Sequence, residues 1–178
     1  MDRRTFGTTM LLGAIGSAAV PALAQDRFGS PQGGMMPMGP AERRHAMDTL
    51  MVGSVALQTS QLAQGRAARP QVREFAQFEV EEQTTVAQII GEMMGGAMPP
   101  PPPAPADARM VAMLQRARGP AFDRMYLMGQ VDGHRRLLGI QESYLRDGRN
   151  PHHRHIAMLA RGRIREHLED LQRLQSRG

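Results

Sequence analysis

The chain has 178 residues, of which 41% are apolar and 22% charged, and it contains no cysteine. This length suits one domain with a sizeable core, and the lack of cysteine excludes disulfides, cysteine-ligated metal sites and thiol nucleophiles. All 22 basic residues are Arg, which excludes Schiff-base chemistry and any phosphate loop that depends on lysine. Aromatic residues make up only 4% while methionines number 15, a composition that favours helix packing over a β-sandwich.

Residues 1–24 have the pattern of an export signal. Arg3 and Arg4 provide a positive start, a short apolar stretch follows, and an A-x-A cleavage site ends at Ala24. The start also resembles a twin-arginine signal in which Gly7 replaces the usual Leu. We therefore expect cleavage near Ala24 and a periplasmic or secreted chain. No stable transmembrane anchor is expected, because the apolar stretch is shorter than the roughly 20 residues that a spanning helix needs.

Two segments rich in Pro, Gly and Met interrupt the chain. Residues 25–40 lack any periodicity and are predicted to be a disordered leader. Residues 95–106 contain five consecutive prolines, which force an extended polyproline segment. The predicted organisation is therefore a signal peptide, the leader, and one domain over residues 41–176 that contains this Pro-rich linker.

The domain is predicted to be all-α, because its apolar residues recur with the 3.6-residue period of amphipathic helices. The expected helices are 41–67, 70–93, 107–116, 120–146 and 151–174. Two tight connections join the four long helices in pairs, and the Pro-rich linker joins the two pairs. This order predicts an antiparallel four-helix bundle made of two helical hairpins.

Several polar residues interrupt the apolar faces of these helices. Helices joined by tight turns keep the sum of facing residue numbers nearly constant, so levels along the bundle can be estimated to about one turn, roughly 5.4 Å. On that basis Gln58 is expected to face Glu79. Two adjacent layers at mid-bundle are predicted to hold Glu79, Gln83, His134 and His167, with Gln130 and Tyr126 as polar neighbours.

Two interpretations of this polar centre remain open. Imidazole and carboxylate side chains together suit iron, manganese, zinc or copper, with His134, His167 and Glu79 as ligands. Alternatively, the same side chains form a buried hydrogen-bond network in which the polar groups satisfy one another. A di-iron carboxylate site is not expected, because the one Glu-x-x-His sequence, at residues 42–45, lies toward the far end of the first helix.

Three sequence blocks carry a family resemblance. Residues 75–84 resemble the motif F-A-x-x-M-V-x-D-H-T, residues 122–134 resemble F-D-x-x-Y-x-x-x-Q-V-x-x-H, and residues 165–168 resemble a closing R-x-H-L. Together they resemble the bacterial DUF4142 family, a domain of unknown function, over about residues 45–174. The resemblance implies an exported protein with a ferritin-like four-helix fold and no settled activity.

The chain departs from the family pattern at several potential ligands. His134 and His167 match the pattern, but Gln83 stands where the family usually has His. Glu82 stands where it usually has Asp, and the first helix lacks the Glu residues that often occur at positions 56 and 58. If the family binds metal, the resemblance implies that this member has lost two or three of the potential ligands.

Histidines and methionines also cluster outside this centre. His152, His153 and His155 begin the last helix, where a solvated helix start is the simpler interpretation than a surface metal site or a pH-responsive patch. Methionines cluster at residues 35–38 and 93–98. Such thioethers can bind Cu(I) in an oxidising compartment, although a low-complexity linker also explains them.

The sequence therefore predicts an exported helical-bundle protein of unknown molecular function, closer to a non-enzymatic envelope or stress role than to an enzyme. One alternative is a ferritin-like protein that binds a transition metal at the mid-bundle site. The other is a periplasmic copper-handling protein that uses the Met-rich segments. No nucleic-acid partner is expected, because basic clusters with interleaved aromatic residues are absent from the sequence.

Overall fold

The structure is a computed structural model that describes residues 38–96 and 99–177. Its helices are α1 (Pro40–Arg66), α2 (Pro70–Met93), α3 (Pro105–Arg116), α4 (Gly119–Asp147) and α5 (Pro151–Ser176). The described ranges contain no strand, so the all-α prediction is confirmed. The predicted signal peptide and the leader up to residue 37 lie outside the described residues.

Each of the five helices has a proline in its first turn. Proline suits this position because its missing N–H would have no partner within the helix and its φ is already helical. At the start of α5, the Asn150 side chain also accepts hydrogen bonds from the backbone N–H groups of His152 and His153. The sequence therefore defines where each helix begins, and each predicted boundary lies within two residues of the observed one.

The four long helices pack side by side. α1 packs along both α2 and α4, and α4 packs along α5, whereas the backbones of α2 and α5 approach each other at few positions. The short helix α3 lies against α1 and α4. Within the described ranges, none of the helices combines the length and apolar character needed to cross a membrane.

Apolar side chains fill three clusters within this arrangement. One lies where α1 ends and α2 begins, and includes Phe75 and Phe122. A second joins Leu50 of α1 to Ile90 of α2, and a third joins α1, α4 and α5 around Leu137. Burying one such side chain contributes about 1.5–3 kcal/mol, so these clusters hold the helices in register around the polar residues between them.

Candidate metal centre

Three buried side chains from three different helices converge near the middle of the domain. Glu79 comes from α2, His134 from α4 and His167 from α5, and each is at most 2% exposed. Glu79 Oε2 lies 3.1 Å from His134 Nε2 and 3.2 Å from His167 Nδ1. The two ring nitrogens lie 3.1 Å apart. Three potential ligand atoms therefore form a nearly equilateral triangle.

One carboxylate oxygen at this triangle has no partner with hydrogen-bond geometry among the described residues. His134 Nδ1 lies 2.8 Å from the carbonyl oxygen of Gln130, which can only accept, so Nδ1 carries the proton. In neutral His134 the Nε2 lone pair then faces the centre of the triangle. Glu79 Oε2 has no partner with hydrogen-bond geometry among the described residues, although both rings are close to it.

Each of the three side chains is oriented by a further contact on its outer side. Gln83 Nε2 donates to the other carboxylate oxygen of Glu79 at 2.8 Å, and the Gln130 carbonyl orients His134. His167 Nε2 lies 3.5 Å from Glu82 Oε2, which in turn accepts from Arg163 Nε at 2.9 Å. Histidine ligands of protein-bound metals usually donate their outer N–H to a carbonyl or a carboxylate in this way.

Burial and charge shift the proton affinities at this centre in opposite directions. Burial by itself raises the pKa of Glu79, but the adjacent His134 and His167 outweigh it and hold the pKa of this carboxyl well below its usual range. Burial by itself lowers the pKa of His134, but Glu79 outweighs it and raises the pKa. Glu79 is therefore ionised at neutral pH, ready to pair with a cation.

Apolar rings shield the triangle from water. The Phe75 ring centroid lies 5.2 Å from that of His167 and 6.2 Å from that of His134. It also meets the Tyr126 ring edge-on at 6.5 Å. A low-dielectric environment of this kind strengthens the attraction between the carboxylate and any cation placed at the centre.

Of the remaining sequence-predicted residues, Gln83 reaches this centre while Tyr126 and Gln130 belong to an adjacent network. Tyr126 Oη pairs with Ser60 Oγ at 2.8 Å. Gln130 Nε2 donates to Thr59 Oγ1 at 2.9 Å and to Ser60 Oγ at 3.1 Å. This network fastens α4 to α1 just beside the triangle.

The prediction that Gln58 faces Glu79 is wrong. Gln58 is exposed, and the polar residues of α1 that point inward here are Thr59 and Ser60. The sum of residue numbers gives the level of a residue along a helix but not its rotation about the axis. Because each residue turns the helix by about 100°, a one-residue error moves a side chain from the core to the surface.

A second buried cluster joins the starts of α1 and α5 to the end of α4. His45 Nε2 donates to Gln141 Oε1 at 2.7 Å, and His45 Nδ1 lies 3.2 Å from His153 Nδ1. Tyr144 stacks on the His45 ring and donates to Glu42 Oε1 at 2.8 Å. The prediction of solvated histidines at the start of α5 holds for His152 and His155 but is wrong for His153, which is buried.

Signals for this second cluster were present in the sequence. His153 continues the buried stripe of α5, four residues before Ala157 and eleven before Ile164. Burial lowers the pKa of His45, and burial together with His45 lowers the pKa of His153, so both rings are neutral at neutral pH. His153 Nε2 has no hydrogen-bond partner among the described residues.

The residues of the F-D…Y…Q…H block divide between scaffold and site. Phe122 packs in the first apolar cluster. Asp123 accepts hydrogen bonds from the backbone N–H groups of Ala68 and Arg69 at 2.8 and 3.0 Å, which satisfies donors at the start of α2. Within this block, His134 is the residue that reaches the triangle.

Comparison with known proteins identifies one family. The profile of the DUF4142 family, described as a domain of unknown function, matches residues 30–174. No curated protein and no solved structure gives a significant match. The match spans most of the chain and includes every residue of the triangle. The chain therefore belongs to the DUF4142 family.

Proposed function

We propose that this chain binds one divalent transition-metal ion through Glu79, His134 and His167. The observation that carries the proposal is the convergence of one carboxylate oxygen and two ring nitrogens, 3.1–3.2 Å apart, with the carboxylate oxygen lacking a hydrogen-bond donor among the described residues. No other group of three potential ligands of this kind occurs in the described part of the chain.

The size of the triangle matches metal coordination. Protein-bound transition metals lie about 2.0–2.2 Å from imidazole nitrogens and carboxylate oxygens. An ion about 2.1 Å from each of three atoms this far apart would have ligand angles of about 95°, which is closer to the face of an octahedron than to a tetrahedron. Two imidazoles and one carboxylate on one such face are typical of non-haem Fe(II) sites.

The proposal places this site in an exported, ferritin-like four-helix bundle. The four long helices and the long connection between α2 and α4 support that fold, and the N-terminal pattern supports export. A cell-fractionation experiment tests the second point. We expect the mature chain to begin near Gln25 and to appear in the periplasmic or secreted fraction, and an uncleaved chain in the cytoplasm would contradict it.

The competing function is a metal-free envelope or stress protein whose polar centre is only structural. In that case a proton takes the place of the ion, with doubly protonated His134 donating from Nε2 toward Glu79. The raised pKa of His134 favours this arrangement in the absence of metal. The two functions therefore differ in whether a divalent ion displaces that proton at neutral pH.

Metal binding by the full chain separates these functions. Under anaerobic conditions we expect one Fe(II), Mn(II), Co(II) or Zn(II) per chain by equilibrium dialysis. An ion at about 1,000 times its Kd would raise the free energy of unfolding by about 4 kcal/mol.

Substitutions make this test specific. Glu79→Gln should abolish both the binding and the stabilisation, while His152→Gln, at an exposed histidine of α5, should change neither. A wild-type chain that takes up no divalent ion above the level of Glu79→Gln would overturn the proposal in favour of the metal-free function.

A further inference from the structure

A groove lined by several methionines lies between α1, α3 and α4. The groove has a volume of about 610 Å³. Its lining includes four methionines, two from each of two facing helices. They are Met110 and Met113 of α3, and Met125 and Met128 of α4.

Two contacts define how α3 lies on α4. Arg136 donates to both carboxylate oxygens of Asp107 at 2.8 and 2.9 Å, and Met110 packs against Gly129. Residue numbers thus rise along α3 as they fall along α4, so the helices are antiparallel. One turn beyond Met110, this register brings Met113 to the level of Met125. The levels of the four methionines along the two helices therefore span about one to two helical turns, where one turn is about 5.4 Å.

The absence of a side chain at Gly129 makes room for a thioether. A Cβ at this position would lie only 3.2 Å from Met110 Sδ, so the sulfur sits against the backbone of α4. Met125 and Met128 lie four and one residues before Gly129, on the side of α4 that faces the groove. Gly129 thus lets Met110 approach the backbone of α4 on the face of the groove that Met125 and Met128 also line.

Two of the four methionines are poorly explained as packing residues. Met113 is 53% exposed and Met128 is 65% exposed, although Met side chains in a core are usually buried. Both occupy the rim of the groove, one on each helix. Both side chains are therefore open to a solute that enters from solvent.

The chemistry of the groove selects a soft cation. Thioethers are neutral, soft ligands that favour Cu(I) over Fe(II), Mn(II) or Zn(II). The carboxylate of Asp107 is engaged by Arg136, and Asp132 Oδ2 also lies 3.6 Å from the same guanidinium. Arg136 therefore offsets part of the negative charge of these two acidic groups, which disfavours a hard cation in the groove.

We propose that Met110, Met113, Met125 and Met128 form a Cu(I) site. This site is separate from the Glu79 triangle, because it uses α3 and a different ligand type. It also differs from the sequence-based copper hypothesis, which relied on the methionines at residues 35–38 and 93–98. Several of those lie outside the described residues, whereas these four lie on helices.

Competition for Cu(I) tests the site in the full chain. Under anaerobic reducing conditions, the chain should withdraw one Cu(I) from a chromophoric chelator such as bicinchoninate. Each of Met110→Leu, Met113→Leu, Met125→Leu and Met128→Leu should weaken Cu(I) affinity at least tenfold. Leu has nearly the volume of Met, so folding should be retained. Met158→Leu, at an exposed methionine of α5, is the matched control and should leave the affinity unchanged.

Two further outcomes distinguish Cu(I) binding in the groove from Cu(I) binding elsewhere in the chain. Loss of Cu(I) binding in Glu79→Gln would place the ion at the triangle and overturn the proposal. Wild-type affinity in the variant with all four substitutions would assign copper to other residues and also overturn it.

A second measurement does not depend on the variants' stability. In the wild-type chain labelled at its methionine methyl carbons, Cu(I) should shift the signals of the four groove methionines and leave that of Met158 in place. Signals that shift only elsewhere, or a chain that does not compete with the chelator, would overturn the proposal.

Discussion

Two pairs of histidines are buried in the helical domain, His134 with His167 at the Glu79 triangle and His45 with His153 near the start of α1. In both pairs the facing ring nitrogens are about equally far apart, at 3.1 and 3.2 Å. The difference lies in what surrounds them. A buried carboxylate lies against both rings of the first pair, whereas Gln141 and Tyr144 contact the second pair and the nearby Glu42 carboxylate accepts from Tyr144 instead.

The charge of the neighbour decides how each pair behaves. Glu79 raises the pKa of His134, so the first pair attracts a proton or another cation. Burial lowers the pKa of His45 and His153, so the second pair excludes protons. Similar distances between buried imidazoles thus accompany a candidate metal centre in one place and a structural network with two neutral imidazoles in the other.

Loss of one histidine should be far more costly at the triangle than at the second cluster. In the metal-free chain, His134→Leu leaves Glu79 ionised and buried with one partner fewer. This should lower the free energy of unfolding by about 3–5 kcal/mol. His45→Leu removes only neutral hydrogen bonds and should cost about 1–3 kcal/mol. Urea unfolding with a chelator present measures both.

A double variant checks the cause of that difference. Glu79→Leu combined with His134→Leu removes both charged partners, so it should be more stable than His134→Leu alone. Equal stability of the double and the single variant would mean that the Glu79 charge does not distinguish the two clusters.

Metal affinity should depend on the outer contact of His167. Glu82→Gln removes the carboxylate charge facing His167 Nε2, and loss of such an outer partner typically costs about 10–100-fold in metal affinity. Glu142→Gln is the matched control, since Glu142 accepts from Arg165 on the same helix as Arg163, whereas Glu82 accepts from Arg163 and faces His167. Competition with a metallochromic chelator measures the two affinities, and equal losses would contradict a specific role for Glu82.

The two clusters should also respond to pH with opposite sign. In the unfolded chain His45 and His153 take up a proton near pH 6.5, whereas folding lowers the pKa of both. The stability that their neutral forms contribute is therefore present above that pH and is lost as the pH falls. His134 has a raised pKa, so its contribution is present below pH 6.5 and is lost as the pH rises through the raised value. Each proton changes the free energy of unfolding by at most about 1.4 kcal/mol per pH unit.

Variants assign these slopes. With chelator present, His153→Gln should flatten the acid side of the stability profile, while His134→Gln should flatten the neutral to alkaline side. Urea unfolding across about pH 5–8 covers both. A profile that His153→Gln leaves unchanged on its acid side would show that this cluster does not exclude protons.

The smallest expected effect concerns the space beside Gln83. A Cβ at Gly53 would lie 2.6 Å from Gln83 Oε1, so Gly53→Ala should displace this amide from Glu79 and destabilise the chain by about 1 kcal/mol. Gly162→Ala, in the exposed interior of α5 with no described heavy atom near its Cβ, should stabilise by about 0.5–1 kcal/mol. Thermal unfolding compares them, and a Gly53→Ala variant as stable as Gly162→Ala would show that Gln83 moves freely.

Much of the site could be predicted from the apolar stripes of the helices. Glu79, His134 and His167 interrupt those stripes, and antiparallel pairing put them at nearly the same level. His153 lies on the α5 stripe as well, but grouping it with the exposed His152 and His155 led to the prediction that it is solvated. The prediction for Gln58 is wrong because sums of residue numbers give the level of a residue but not its rotation, and Thr59 and Ser60 occupy the inward positions.

Helix positions in this protein follow from local physics that the sequence carries: the 3.6-residue period, a proline in each first turn, and Asn150 before α5. The family also follows from the sequence alone, because the family profile matches residues 30–174. The 3.1–3.2 Å triangle, the pairing of His45 with His153 and the four-methionine groove depend instead on helix rotation and on contacts between residues far apart in the chain. A helix rotation of a fraction of one turn decides whether a side chain faces the site or the solvent. Side-chain packing between helices, rather than the pattern within one helix, sets that rotation.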